Sequence, residues 1–549
     1  MGLRRFLPFW AWGWLFLVVG MLLIRPPLPI DETRYLSVAW NMWHGGSLWV
    51  PLLNGHPYDG KPPLFFWLVE MGWLVFGVSE WWGRLVAPLS GLLALWVTSL
   101  LARRLWPETA QTAVLAPTLT LGALYWAVFG SSSMIDMLLA AFVVLAAYML
   151  VRFWQQPALR YAIFTGIALG LGVLAKGPVV LLPIAGIALL APWWMGEARP
   201  AQLTWRRWYL GLLLSLGVAL LVSLIWLVPM MIQAGPEYFL DMVLYQTAGY
   251  MGSSGPVAMN GHHRPLWWYL PLLPVLLFPW SLWPATWRAM RLRGLWHEPA
   301  VRLCVAWAVP MFIVLSVVAG KQPHYLLPLF PALALLAARG LAAAQPKMRF
   351  TVPGLAYVLV GAVWLALPLL ARGHHGHAPW LAGISLPLVL TVGGALLLLG
   401  GLLITWRGAV RLETGVQTLA ASTWIGLLIL VGGVFYLSWP AYDLRPASTF
   451  LRHAAERGEP VAILDSGYQG QFNFFGRLTH PVKELNSRDL PDWIRTHQSG
   501  YVIAYYNPRK WSPSDGDPPA YQQFYRAQGL AIWSSSQLNR HPQLLKRIE

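Results

Sequence analysis

Asp31-Glu32-Thr33-Arg34-Tyr35 follows directly on a hydrophobic run that ends near Ile24, and Tyr58-Asp59-Gly60-Lys61-Pro62-Pro63-Leu64 follows one loop later. A helix needs about 20 apolar residues to cross a bilayer, so the run reads as a first span and the acids as the start of what emerges from it. Charged residues make up only 11% of the chain, whereas a soluble domain carries about a quarter. Two adjacent carboxylates, then a lysine held before two prolines, therefore call for more explanation than an ordinary wet loop, which stands as the alternative. On the functional reading, Asp31 sits in a catalytic cavity at the membrane face and Lys61 holds the phosphate of a lipid-linked donor.

The composition sets the class. The chain has 549 residues, 57% of them hydrophobic, and a mean hydropathy of +0.52. That excludes a soluble globule and predicts a polytopic helical membrane protein. The net charge of +17 raises the question of nucleic acid, and the distribution answers it. With Arg4 and Arg5 placed inside and the spans alternating, eighteen Lys and Arg before residue 440 fall on the inner side and eight on the outer. This is the bias that keeps positive loops in the cytoplasm, so most of the excess charge is a topology signal and no nucleic-acid partner is expected. The acids run the other way. Of twelve before residue 440, eight (Asp31, Glu32, Asp59, Glu70, Glu80, Asp136, Glu237, Asp241) fall outside. The chemistry faces out. The one cysteine, Cys304, leaves no disulfide within the chain.

Residues 1–24 carry basic residues before the apolar run, with no small-residue cleavage site after it, which predicts an uncleaved span. A long outer loop is expected at 25–82, with two interfacial helices, Glu32 to His44 (Tyr35, Ala39 and Met42 on one side) and the Phe/Trp-rich Leu64 to Phe76. Further spans read at about 84–102, 110–128, 134–151, 161–175, 178–194, 208–229, 267–286, 300–319, 325–342, 351–371, 380–405 and 417–438, which makes about thirteen. The second outer loop, 230–266, holds Asp241, Tyr245, Gln246, Tyr250 and His262-His263-Arg264. From about Pro440 short patterned segments replace the long runs. Val461 to Leu464 and Tyr501 to Tyr506 read as strands and Leu490 to His497 as a helix. The organisation is thus a transmembrane domain at 1–439 and a small periplasmic α/β domain at 440–549. Gly467 and Gly470 form no nucleotide fingerprint, and a cap or binding platform is the expected role of the tail.

An ionisable residue at the mouth of a helix bundle is costly to desolvate unless paired or hydrated, and so marks a functional candidate. Asp31 is the first. Asp136 opens the fourth span from the same side, where helix-dipole capping is the alternative. Glu32 reads as a solvated neighbour. Lys61, fixed by Pro62-Pro63, neutralises a lipid phosphate as a point charge, or else snorkels to headgroups. Lys321-Gln322-Pro323-His324-Tyr325 repeats the pattern, with the Tyr325 hydroxyl and a second cation, Lys321. An aromatic-belt role is the alternative for Tyr325. Adjacent histidines point apart, so His262-His263 makes a poor zinc pair, and phosphate or sugar contact by Arg264 or His263 is the better reading beside a plain interfacial loop. His374, His375 and His377 bind metal at most adventitiously.

Taken together, these pieces resemble the bacterial GT-C glycosyltransferases related to protein O-mannosyltransferases, most closely the aminoarabinose transferases that modify lipid A. The resemblance spans nearly the whole chain. It rests on Asp31-Glu32 with Tyr35, Lys61-Pro62-Pro63-Leu64, Gly83-Arg84 after an aromatic loop, Ser133 to Asp136, Ala175-Lys176-Gly177-Pro178, Tyr269 to Trp280 and Lys321 to Pro328. It implies about thirteen spans, interfacial helices, a periplasmic domain and a polyprenyl (undecaprenyl) phosphate sugar donor. It marks Asp31 as the catalytic carboxylate, Asp136 as a second acid, and Lys61 and Tyr325 as ligands of the donor phosphate. Tyr35, Tyr58, Asp59, Glu32, Arg84 and Lys321 are supporting candidates. Aminoarabinose transferases usually carry Glu before Lys-Pro-Pro, at a place associated with a metal. Here that residue is Gly60, with Asp59 one step earlier, so a divalent metal ion stays an open question. Relatives often have an arginine near Tyr250, and this chain reads Gly249-Tyr250-Met251.

The expected activity is inverting transfer of a sugar, 4-amino-4-deoxy-L-arabinose on the resemblance, to lipid A in the bacterial inner membrane. A protein or surface polysaccharide is the alternative acceptor. A transporter or flippase for a lipid-linked substrate is the rival class. Such proteins carry internal repeats and ionisable groups at the midplane, and this sequence shows no convincing repeat and clusters its acids at one face.

Overall fold

The computed structural model describes residues 7–242, 264–345, 349–372, 387–407, 410–464, 467–508 and 518–541. Tyr245, Gln246, Tyr250, His262, His263, His374, His375 and His377 lie outside the described residues. The chain divides into two compact units. One comprises Met1–Met21, Asp59–Val360 and Leu396–Ile429, and the other Leu22–Tyr58, Gly361–Ala395 and Leu430–Glu549. Its first eleven helices are α1 (Phe9–Ile24), α2 (Asp31–Gly45), α3 (Leu64–Phe76), α4 (Glu80–Leu105), α5 (Ala110–Gly122), α6 (Leu124–Phe129), α7 (Asp136–Gln155), α8 (Leu159–Lys176), α9 (Leu181–Leu189), α10 (Ala191–Met195) and α11 (Trp205–Leu240).

The multi-pass helical membrane fold expected from composition is present, with a different span count. Among the described residues seven helices are long and apolar enough to cross a membrane, or eight if the pair Pro178–Leu189 and Ala191–Ala198, bent by 48°, is one span. The other expected spans are of two kinds. Phe9–Ile24, Thr351–Arg372 and Pro387–Trp406 are continuous apolar helices of 16, 22 and 20 residues, and two predicted spans are broken. At 110–128 the chain leaves the helix at Ala123, whose ψ of 126° is extended. The groups around the break are satisfied internally, as a membrane interior demands. Leu124 N–H donates to the Phe278 carbonyl at 2.8 Å, and the Trp280 and Trp424 indoles donate to the Leu119 and Leu121 carbonyls at 2.8 and 3.0 Å. At 267–286, Pro271, Pro274, Pro279 and Pro284 remove one donor each, leaving only the short helices Leu273–Leu276 and Pro284–Met290.

Small residues set the packing where the site is built. A Cβ on Gly166 would come within 2.5 Å of the Ser215 carbonyl, and one on Gly170 within 2.5 Å of Val222 Cβ. This one-turn spacing of glycines lets α8 close on α11, a common device where lipid supplies no hydrophobic drive. Ser215 Oγ adds a hydrogen bond to the Ala162 carbonyl at 2.8 Å.

α3 exposes Met71, Leu74 and Val75, in keeping with an interfacial helix. Its half-buried Glu70 makes no ion pair among the described residues, and burial raises its carboxyl from 4.5 to about 7. A folded-state pKa above the unfolded value means that the folded chain holds the proton more tightly, so this contribution is full below pH 4.5 and is lost as pH rises through about 7. Glu70→Gln is therefore expected to flatten the fall in melting temperature between those limits. Parallel pH profiles of the two proteins in detergent check this, and coincident slopes would count against it.

In the second unit, β1 (Leu52–Leu53) and β2 (His56–Pro57) form a hairpin turned at Asn54-Gly55, where φ is 52° and 80°. Two consecutive positive φ values define the turn that suits a two-residue hairpin. Asn54 then bonds both ways to Val482, Nδ2 to the carbonyl at 2.9 Å and Oδ1 from the N–H at 2.8 Å. The C-terminal sheet contains β3 (Val461–Leu464), β4 (Lys483–Leu485), β5 (Tyr501–Tyr506), β6 (Tyr521–Tyr525) and β7 (Gln528–Ser534) in the order β4-β3-β5-β7-β6. β3 runs parallel to β4 and β5, and β7 antiparallel to β5 and β6. Period-two alternation sorts the core. Ile503, Leu530 and Ile532 pack with Ala447 and Leu451 of the helix Arg445–Glu456, while Val502, Ala504, Ala531 and Trp533 pack with Trp493 and Leu538.

This unit also claims α2, which corrects the expectation of a helix lying in the interface. Its apolar side is covered by protein. Ser37 Oγ accepts from Phe474 N–H at 3.2 Å, and Trp40 Nε1 donates to the Leu478 carbonyl at 2.9 Å.

Candidate active site

In the first unit the site grows from a simple pairing of helix ends. α7 and α8 are joined by residues 156–158 only, so the start of α7 and the end of α8 come to the same end. Asp136 is the first residue of α7 and Lys176 the last of α8, an acid at a helix N-terminus and a cation at a C-terminus, each favoured by the dipole it caps. Gly177, at φ 78°, and Pro178 end α8 there. The two side chains form an ion pair and are 2% and 13% exposed.

Around this pair three more groups gather. Lys176 Nζ lies 4.6 Å from the centroid of the Tyr325 ring, within cation–π range. Tyr325 belongs to the short 3₁₀ turn Pro323–Leu329 and packs edge-on against His324 at 4.8 Å. His324 also meets Phe129 at 6.3 Å. The Asp136 carboxylate lies in the field of both His324 and Lys61, and Lys61 Nζ donates to the Gly60 carbonyl at 2.9 Å. Lys61, Tyr325 and Asp136 are thus brought together, with Lys176 and His324 added. One carboxylate thus lies among two ammonium groups, an imidazole and a phenol, and cations of this kind are able to receive a phosphate. Asp136, expected as a second acid, is buried and ion-paired with Lys176.

Two other candidates in this unit, Lys321 and Arg84, are held against backbone carbonyls. Lys321 was expected as a second phosphate cation, but it is 2% exposed and donates to the Arg264 carbonyl at 2.9 Å and to that of Val318. Its acceptors are neutral carbonyls, and burial lowers its pKa below the usual lysine range. Tyr269 ties the same loop through its hydroxyl to the Gln322 carbonyl at 3.0 Å. Arg264 is exposed, its guanidinium 5.8 Å from the Trp268 ring. Arg84 is buried, bonding Met21 O at 3.3 Å and pairing with Glu80 at 4.0 Å. Asp59 is exposed. Among the described residues no three His, Cys, Asp or Glu side chains converge as a metal site.

In the second unit α2 opens on Asp31, whose side chain is 53% exposed and paired with Arg34. Arg34 is itself held, its Nη1 donating to Gln469 Oε1 at 2.9 Å, with its guanidinium 5.8 Å from the Tyr35 ring and 6.0 Å from that of Tyr58. Glu32 is the correction here. It is buried rather than solvated, 6% exposed, and forms a two-oxygen ion pair with Arg25 (Nη2 to Oε1 2.8 Å) while accepting the Leu28 N–H at 2.8 Å. Glu32 fixes the entry to α2.

Sequence reasoning passed over Lys176, His324 and Arg34 as site residues. Signals for them existed. An acid-first helix followed, after a three-residue link, by a lysine-last helix places the two charges at one end.

Against known proteins, residues 60–226 match the family model described as dolichyl-phosphate-mannose-protein mannosyltransferase. The chain is 31% identical over 375 residues to the undecaprenyl phosphate-alpha-4-amino-4-deoxy-L-arabinose arabinosyl transferase of Edwardsiella ictaluri, covering 66% of this chain and 62% of that one. It is 30% identical over 349 residues to the protein of the same name from Pseudomonas paraeruginosa, covering 59% and 58%. These matches span about three fifths of the relatives' length. The crystal structure of ArnT from Cupriavidus metallidurans bound to undecaprenyl phosphate superposes with a TM-score of 0.73 over 95% of this chain and 97% of that one, at 21% identity. The resemblance drawn from the residues therefore holds. The chain has the GT-C fold of that transferase and is similar in sequence to the aminoarabinose transferases.

Proposed function

We propose that this protein is an inverting glycosyltransferase that moves a sugar, 4-amino-4-deoxy-L-arabinose by likeness to its relatives, from undecaprenyl phosphate to lipid A. The observation that carries the reading is the cationic cluster of Lys61, Lys176 and Tyr325 around the buried Asp136. The acceptor oxygen attacks the anomeric carbon as the bond from that carbon to the phosphate oxygen breaks. The bonding pair leaves on polyprenyl phosphate, whose negative charge grows through the transition state. Lys61 and Lys176 neutralise that charge and the Tyr325 hydroxyl donates to it, where fixed electrostatics act most strongly. Asp31 orients the acceptor and, for a hydroxyl, takes its proton.

The same proposal covers topology and organisation. The charge bias supports a cytoplasmic N-terminus and chemistry on the periplasmic side of the inner membrane. Residues 1–439 carry the catalytic region, and 440–549 form a periplasmic α/β region into which α2 is built.

Purified chain in detergent, given undecaprenyl-phosphate-linked aminoarabinose and lipid A, is expected to yield lipid A heavier by one aminopentose by mass spectrometry. Transfer to protein or polysaccharide fractions instead would move the acceptor. Donor left intact with every acceptor would overturn the glycosyltransferase reading.

A further inference from the structure

Away from the cationic cluster, the start of α11 borders a cavity of about 300 Å³ lined by Thr204, Arg206, Arg207, Phe153, Leu159 and Leu210. That volume lies at the lower end of the ~300–1,000 Å³ range of small-ligand sites. We propose that it holds the headgroup of an anionic glycerophospholipid.

The polar side of the cleft is positive. Arg206 and Arg207 are exposed, and among the described residues neither pairs with a carboxylate. Arg207 is held in place, its backbone N–H donating to Thr204 Oγ1 at 3.2 Å and its Nη1 to the Gln202 carbonyl at 3.3 Å. Arg199, on the approach to α11, stacks 5.0 Å from the Trp205 ring and donates to the Leu203 carbonyl, and like Glu197 it does not line the cleft. The acid of this stretch, Glu197, stands on the preceding turn and does not line the cleft. Two arginines with no carboxylate beside them suit a phosphodiester. A zwitterionic headgroup would bring an ammonium with nothing to receive it.

The apolar side fits the chains. α11 is the least buried of the seven spans. Leu210, Leu213, Leu220 and Leu224 are exposed along it at helical spacing, a stripe that starts at the cleft wall and continues down the helix. A headgroup seated between the arginines lays its acyl chains on that stripe. Basic pockets at the positive end of transmembrane helices recognise anionic headgroups in this way.

The test is native mass spectrometry of the full chain in detergent, titrated with phosphatidylglycerol and, separately, phosphatidylcholine. The wild type is expected to retain phosphatidylglycerol in preference, and R206Q/R207Q to weaken that retention about tenfold or more. R103Q/R104Q is the control. It removes two exposed arginines from the end of α4, where the Arg104 carbonyl accepts from Gln155 at 2.8 Å, close to the same helix ends but outside the cavity. Retention unchanged in R206Q/R207Q, an equal loss in the control, equal binding of phosphatidylcholine, or displacement by millimolar inorganic phosphate would each overturn the proposal.

Discussion

Asp31→Asn is expected to lower sugar transfer to a hydroxyl acceptor by roughly 10²–10⁴-fold, the usual contribution of a positioned general base. The substitution keeps the side chain's shape and an oxygen for Arg34, so α2 and its packing within the second unit persist. What disappears is the ability to accept a proton. A phosphate acceptor is already ionised and needs mainly positioning, so with such an acceptor the same variant is expected to lose less than tenfold. Comparing the two acceptors on one protein preparation separates basicity from geometry. A loss below tenfold with the hydroxyl acceptor would remove the base role from Asp31.

Lys176→Met is expected to destabilise the protein by about 3–5 kcal/mol, because it leaves the Asp136 carboxylate charged, buried and without its partner. The paired change Lys176→Met with Asp136→Asn removes both charges and is expected to recover most of the melting temperature. Activity is expected to stay low in both, since neither restores the cation beside Tyr325. Asp136→Asn alone keeps Lys176 but loosens it. Its expected signature is weaker donor binding, seen as a raised KM for the lipid-linked sugar. Thermal unfolding and donor titration of the three variants check this, and a double variant no more stable than Lys176→Met would show that the pairing is not what holds the helix ends together.

How much of this was readable in the residues differs from element to element. The long apolar runs gave the membrane class, and short apolar runs gave β3 and β5, because both signals are local. The broken spans were misread for the same reason: a hydropathy window adds up side chains and does not register a backbone that leaves the helix at Ala123. The prolines at 271, 274, 279 and 284 were the available warning. Glu32 was misread because adjacency in sequence suggested a shared environment with Asp31. At 3.6 residues per turn, neighbours on a helix point about 100° apart, so one faces solvent and the next faces Arg25. Lys321 shows the converse failure. Its charge was visible, but its burial against the carbonyls of Val318 and Arg264 depends on a loop 57 residues away. Asp136 and Lys61 were found, whereas Lys176 required the further step of treating two helices as antiparallel neighbours.

The hydrogen bonds that tie Ser37, Trp40 and Asn54 to residues 474–482 join positions 428 to 438 apart in the chain. A ribosome adding roughly 5–20 residues per second needs some tens of seconds to cover that interval. The helix carrying Asp31 is thus among the first segments made and among the last to find its partners. A polypeptide cut short before the C-terminal sheet would therefore lack the groups that Ser37, Trp40 and Asn54 bond in the complete chain.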